Sequence, residues 1–331
     1  MSELGRVVYH NGDLIPEADA KVSIYDSSLM FGDMVFEMTR SFNKEQFKLR
    51  EHIERLYRSI KVLRIPIAMT MDEMEQAVLA TIEANKPVFQ EDDEHRVLID
   101  VSRGLLGIYQ GVVGGAVGPN VIIADFPLRW TVAGMGALFD TGINAVIPSQ
   151  RAIPGDLLDP KIKNRSRIHY LMANIETSGY GGDNNWALLL DPDGYVAEGT
   201  GDNFFIVKNG GLITPEGRNV LRGISREYIM EELAPGLRIP AREDNFHAYD
   251  VYTADEAFMT GTPFCILPVT SLNGVAIGDG KVGKLTSALI NAWSDSVGVD
   301  IVEQIKAWDA ARPESDGPSA PSPYRFTTEQ S

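Results

Sequence analysis

Short apolar runs, each closed by a turn signal and answered by a second run, constrain this chain more than any other feature. VVYHNGDLI sets two strand-like runs on either side of Asn11-Gly12, and residues 33–50 hold two more on either side of Asn43-Lys44. In the second half, WALLLDPDGYVAEG turns at Asp-Pro-Asp-Gly, and NFFIVKNGGLITP repeats the pattern. AFMTGTPFCILPVTSLNGVAI reads as a strand, a turn and a strand. Asn and Gly in such turns tolerate the positive φ that brings a strand back beside its predecessor, so the pattern predicts antiparallel hairpins. RVLIDVSRG and NVIIADFPL add strands rich in Val and Ile, residues that fit a buried pleated surface. Helical spacing interrupts these runs: Ile53, Leu56, Ile60 and Leu63 share one face of HIERLYRSIKVL. MTMDEMEQAVLATIEAN, RIHYLMANIETSG, ISREYIMEELAPG and LTSALINAWSDSVG read as further helices. The expected fold class is therefore mixed α/β, in the α+β sense.

A length of 331 residues is comfortable for two cores and long for one. The expected division is a small N-terminal domain over residues 1–126, a connector over 127–138 and a larger domain over 139–305. The stretch 306–331 is rich in Pro, Ser and charge and is expected to be a mobile tail. A net charge of −16 argues against nucleic acid or an anionic membrane as partner, because both reward basic patches. Cys265 is the single cysteine, so no internal disulfide can form, which suits a reducing cytoplasm. The N-terminus lacks a signal-peptide pattern, and no run approaches the roughly 18 apolar residues of a membrane span. No spacing of the histidines with Cys265 suggests a metal site, and no P-loop or nucleophile elbow occurs.

Several segments can carry chemistry. In DPKIKNRSRIHY, Lys161, Lys163, Arg165 and Arg167 alternate just before a helix. Neighbouring cations destabilise an ammonium and so make a lysine a better nucleophile, although a solvated basic face has the same composition. Gly223-Ile224-Ser225 stands at a helix start, where free backbone N–H groups bind phosphate and where Ser225 could equally act as a cap. The turn Gly261-Thr262 offers a glycine and a hydroxyl that could form an anion-binding concavity or merely a turn. Glu198 precedes two glycines that allow close approach of a ligand. Arg40 and Arg103 end strand-like runs and could clamp a carboxylate or pair with a surface acid.

The order and spacing of these segments resemble the fold-type IV pyridoxal-phosphate-dependent aminotransferases, over about residues 7–295. FGDMVFEMTR resembles the family's early strand, with Phe31 where a tyrosine is common and with Phe36 and Arg40 at substrate positions. LREHIERLYRSI resembles the helix whose arginine, here Arg55, reaches the cofactor phosphate. DPKIKNRSR resembles the lysine motif and places the Schiff base on Lys163, with Lys161 as competitor. EGTGDNFF makes Glu198 the partner of the pyridine nitrogen, while RGISRE and MTGTPF correspond to the phosphate loops, with Gly223, Ile224, Ser225, Gly261 and Thr262. The resemblance implies a larger domain with a β-barrel-like core, pyridoxal 5'-phosphate as cofactor, and a homodimer. It implies transfer of an amino group from an amino acid, first of all a branched-chain-like L-amino acid, to a 2-oxo acid through Lys163.

Substrate choice is the open part. A D-amino-acid or (R)-amine transaminase, or an aminodeoxychorismate-type lyase releasing pyruvate, shares these motifs, and a binding protein without cofactor is the reading from another class. IDVSRG resembles the D-amino-acid and (R)-amine branches, and an Arg-x-His trap is missing after it. His95 and Arg96 stand where branched-chain enzymes carry a tyrosine ahead of an arginine, and Arg129 and Arg103 are candidates for the substrate carboxylate.

Overall fold

The structure, a computed structural model, describes residues 5–109, 111, 118–182 and 184–312. Two compact units divide the chain: one runs to Leu128 and also takes Ile162–Arg167, and the other holds Arg129–Lys161 and everything from Ile168 onward.

The first unit is an antiparallel sheet backed by two helices. Its elements are β1 (Val7–His10), β2 (Asp13–Pro16), β3 (Met34–Met38), β4 (Ser41–Phe42), β5 (Glu45–Gln46), α1 (Leu49–Leu63), α2 (Met71–Asn85), β6 (His95–Ser102) and β7 (Asn120–Pro127). The five-stranded sheet has the order β2-β1-β7-β6-β3, and the first hairpin turns at Asn11-Gly12, both at positive φ. The second hairpin forms from β4 and β5 across Asn43 and Lys44, also at positive φ. Thr70 and Glu73 close a reciprocal capping box that starts α2. Val35, Val97, Ile99, Val101 and Ile123 of the sheet form one core cluster with Ile53, Leu56 and Ile60 of α1 and Met74, Val78 and Ile82 of α2. Because strand side chains alternate, the opposite face carries Phe36 and Met38 of β3, paired with Asp100 and Leu98 of β6.

The free edge of β3 is occupied by a strap of six residues, Ile162–Arg167, which arrives from far along the sequence. Val35 and Asn164 form an antiparallel bridge, Phe36 N donates to Lys163 O at 3.0 Å, and Arg165 N donates to Met34 O at 3.0 Å. Ile162 joins the unit's core cluster and anchors the strap.

The second unit holds β8 (Ile143–Val146), α3 (Ile168–Ser178), β9 (Asn185–Leu190), β10 (Val196–Gly199), β11 (Asn203–Lys208), β12 (Gly211–Thr214), β13 (Ala241–Glu243), β14 (Glu256–Gly261), β15 (Cys265–Leu272) and β16 (Val275–Ala276). Six of these strands, β10-β9-β8-β15-β14-β11, close on themselves because β10 also pairs with β11, giving the barrel-like core. Closure rests on one register pair, Glu198 with Asn203. Phe204, Phe205 and Phe258 are fully buried, and the rings of Phe205 and Phe258 stack at 4.9 Å.

Three regions differ from the sequence reading. Residues 127–138 are not a bare connector: Arg129–Val132 and Ala133–Met135 are short helical turns, with Val132, Ala133 and Met135 buried in the second unit. ISREYIMEELAPG begins as α4 (Ile224–Tyr228) but loosens into a π-helical segment over Ile229–Leu233. After α5 (Lys284–Val297) the chain forms α6 (Ile301–Ala310), which runs past residue 306, where the tail was expected to begin. Asp300 caps α6, and Ile301, Ile305 and Trp308 bury a helical stripe that the charged composition hid. The expected mobile tail over 313–331 lies outside the described residues.

Candidate active site

In the first unit, strand pairing determines where the reactive amine stands. With the strap locked to β3, the Lys163 Nζ lies 4.8 Å from the centroid of the Phe36 ring. Arg165 stacks on the same ring at 3.7 Å, and Arg167 lies at 5.4 Å. Lys163 N donates to Ser59 Oγ at 3.2 Å, tying the strap to α1 as well. Arg165 donates to Asp100 Oδ1 through Nε at 3.2 Å and Nη2 at 3.0 Å. Burial pushes the Asp100 carboxyl above its ordinary value, against the lowering pull of Arg165. Lys161 is separated from this group: it pairs with Asp159 at 3.0 Å and belongs to the second unit.

Under the covered face, Glu37 is completely buried and receives Arg55 in bidentate fashion, Nε to Oε1 at 2.6 Å and Nη2 to Oε2 at 2.8 Å. His52 Nδ1 lies 2.8 Å from the same Oε2. Burial by itself would raise the Glu37 carboxyl, but Arg55 and His52 hold it well below the usual carboxylate range. Desolvation lowers His52, only partly offset by Glu37, and the charge of Lys163 lowers it further.

In the second unit, Glu198 is also buried, 4% exposed, at the pair that closes the barrel. Its Oε1 accepts from the Tyr170 hydroxyl at 2.9 Å, and its Oε2 accepts from Asn203 Nδ2 and Leu221 N, both at 3.0 Å. A register shift between Val196 and Gly199 re-aims this end of β10. Asn203 also donates to Leu221 O at 2.9 Å, and its Oδ1 would lie 2.1 Å from a Cβ placed on Gly223. Asn203 therefore joins the EGTGDNFF and RGIS segments, and no side chain larger than glycine fits at 223. Gly223 precedes α4 with no side-chain cap, so the first N–H groups of the helix lack an intrahelical acceptor. In the turn after β14, Thr260 Oγ1 donates to Cys265 O at 2.6 Å, leaving Gly261 and Thr262 at the tip.

A family profile described as amino-transferase class IV matches residues 34–272. The chain belongs to that family. A Methanocaldococcus jannaschii relative of this aminotransferase is 38% identical over 289 residues, covering 87% of this chain and 95% of its own length. The branched-chain-amino-acid aminotransferase of Escherichia coli K12 is 33% identical over 298 residues, covering 86% and 91%. Among solved structures, the Escherichia coli branched-chain amino acid aminotransferase superposes with a TM-score of 0.77 at 30% identity, covering 88% of this chain and 94% of that one. A bacterial-type T.th. branched-chain amino acid aminotransferase, complexed with N-(5'-phosphopyridoxyl)-L-glutamate, superposes with a TM-score of 0.76 at 28% identity, covering 95% and 97%.

Pyridoxal phosphate is the cofactor of this aminotransferase, and its residues fit the group. A glycine-gated, uncapped helix start suits a phosphate, a buried carboxylate suits a protonated ring nitrogen, and Lys163 supplies a primary amine.

The structure also revises the substrate residues of the aminotransferase. Arg103, expected at the substrate carboxylate, instead grips Asp33 at 2.6 and 3.2 Å and donates to the carbonyls of Arg64 and Leu63. These bonds draw on its Nε and both terminal nitrogens, so it is a strut tying β6 to the end of α1. Arg40 is buried, stacks over Phe42 at 3.8 Å and donates to Ser41 O, while Arg129 lies 5.6 Å over the Trp308 ring. The Phe31 ring is 67% exposed at the end of a short helix. His95 faces the covered side of its sheet, 2.9 Å from Asp125 and stacked on Phe89. Its neighbour Arg96 takes the face of Phe36 and Met38, donating to Met38 Sδ at 3.4 Å. Strand alternation was the signal that separates the two. Arg55 gives two donors to Glu37, a partner the motif reading had left out.

Proposed function

We propose that this aminotransferase moves the amino group of a branched-chain-like L-amino acid to a 2-oxo acid in two ping-pong half-reactions, with the cofactor carried on Lys163. The observation that carries this reading is the strap: its pairing with β3 fixes the backbone of Lys163 and leaves only the side chain to move. Bound pyridoxal phosphate supplies the electron sink that stabilises negative charge at the substrate α-carbon. Lys163 holds the cofactor through its amine and, once displaced by the substrate amine, moves the proton away from the α-carbon. Glu198 keeps the ring nitrogen protonated. Arg55, the N–H groups at Gly223, Ile224 and Ser225, and the Gly261-Thr262 turn bind the phosphate. Phe31 and Phe36 line the substrate, with Arg40 or Arg129 for its carboxylate.

The printed names of the Escherichia coli and T.th. relatives support the branched-chain substrate, and the glutamate adduct of the latter supports L-glutamate as the exchanging partner. Lys163→Ala is expected to abolish the visible absorbance of the covalently held cofactor and to lower turnover by roughly 10³-fold or more. Transamination is measured with L-leucine, D-amino acids and (R)-1-phenylethylamine as donors and 2-oxoglutarate as acceptor. A strict preference for D-amino acids or the amine overturns the substrate assignment, and pyruvate release without an acceptor identifies a lyase. A cytoplasmic homodimer belongs to the same reading, and light scattering on the purified protein tests the dimer.

A further inference from the structure

The basic cluster on the strap is not uniformly basic in space. Lys163 and Arg165 project over one ring, Phe36, and Asp100, the residue paired with Phe36 across β3 and β6, binds Arg165. The two cationic centres lie 4.8 and 3.7 Å from that ring's centroid, so they can be no farther apart than those two distances laid end to end. That is within about one Debye length at physiological salt, close enough for each to feel the other's charge. We propose that the Asp100–Arg165 pair is an electrostatic regulator of the Lys163 amine, with Asp100 setting how much of the Arg165 charge reaches it. This rests on Lys163 carrying the cofactor.

Three features support the assignment. Arg165 is held from three directions, by its backbone bond to Met34, by the Phe36 ring and by Asp100, so its charge has a defined place. Its side chain is only 34% exposed and that of Asp100 only 16%, so water screens the pair incompletely. The other charged groups of this unit near Lys163 are already assigned. Arg167 sits farther out over the same ring, and Glu37, Arg55 and His52 neutralise one another beneath the sheet. Asp100 is thus the acid on the lysine's own face that can offset a cation there. The sign follows directly. Without Asp100, the bare Arg165 cation disfavours a proton on the Lys163 nitrogen, whereas without Arg165 that proton is favoured.

The test is a pH titration of the visible absorbance of the holoenzyme, which reads protonation of the Lys163–cofactor linkage directly and does not depend on turnover. Asp100→Asn is expected to lower the apparent pKa by roughly one unit, and Arg165→Gln to raise it by a similar amount. The double variant is expected to return close to the parent value. A merely structural pair would shift both single variants in the same direction or in neither, and either result overturns the proposal. Lys163→Ala separates the two readings: if it keeps the titrating band, the lysine assignment fails. If the band needs Lys163 but ignores Asp100 and Arg165, only the electrostatic pair fails.

Discussion

Two buried glutamates, one in each unit, are solved in opposite ways. Glu37 is completely buried and bound by Arg55 and His52, so its charge is balanced inside the protein. Glu198 is nearly as buried, but the hydrogen bonds it receives from Tyr170, Asn203 and the Leu221 amide all come from neutral groups. Dipoles stabilise a carboxylate without cancelling its charge, so Glu198 keeps a field that a bound cationic ring can use. A buried ion pair, in contrast, fixes geometry and leaves little field behind. The contrast separates a brace from a working group, although both are glutamates on short strands.

The sharpest way to break the contrast is to neutralise each acid. Glu37→Gln leaves Arg55 buried beside an uncharged amide, and the expected loss is about 3–5 kcal/mol of stability, read from urea unfolding. A loss below about 1 kcal/mol would mean that the arginine relaxes to water and that Glu37 is no brace. Glu198→Gln preserves its shape, so its unfolding free energy should move by less than about 1 kcal/mol. Its turnover should nevertheless fall roughly 100-fold, about 2.7 kcal/mol of barrier, as the field on the ring nitrogen is lost. Equal damage to stability and turnover would erase the distinction.

Acidity offers the gentlest probe. The folded pKa values of both His52 and Glu37 lie below their ordinary values, so the unfolded chain binds protons first. Their stabilising contribution is therefore full above about pH 6.5 and declines as pH falls, through the histidine range first and the carboxylate range afterwards. His52→Asn should flatten the decline between about pH 6.5 and 5, a slope of at most about 1.4 kcal/mol per pH unit. An unchanged slope assigns that titration elsewhere.

Much of this was legible beforehand. Asn11-Gly12 and Asn43-Lys44 announced hairpins because positive φ is a local requirement, and Ile53, Leu56 and Ile60 announced α1 because periodicity is local too. The segments bearing Glu198 and Gly223 were found by motif, and the structure adds Asn203 as the side chain joining them. What stayed hidden depends on pairing between distant residues. Arg103 could not be told from a carboxylate clamp until Asp33 and the carbonyls of Leu63 and Arg64 stood around it. His95 and Arg96 were indistinguishable until the register of β6 put them on opposite faces. Glu37 gave no signal, since its role exists only where β3 meets α1.

The strap on β3 also has a consequence in time. A nascent chain that has just completed β7 already holds every strand of the first sheet, yet the outer edge of β3 is still bare and Ile162 is missing from the core. An unfilled edge is sticky, and a contact between Val35 and Asn164 closes a long loop of chain, so it forms late. The ribosome must deliver the start of the second unit before the first can seal. The reactive lysine therefore arrives as the last piece of the framework that holds it, and a fragment ending at residue 128 would emerge with its edge open and without the amine.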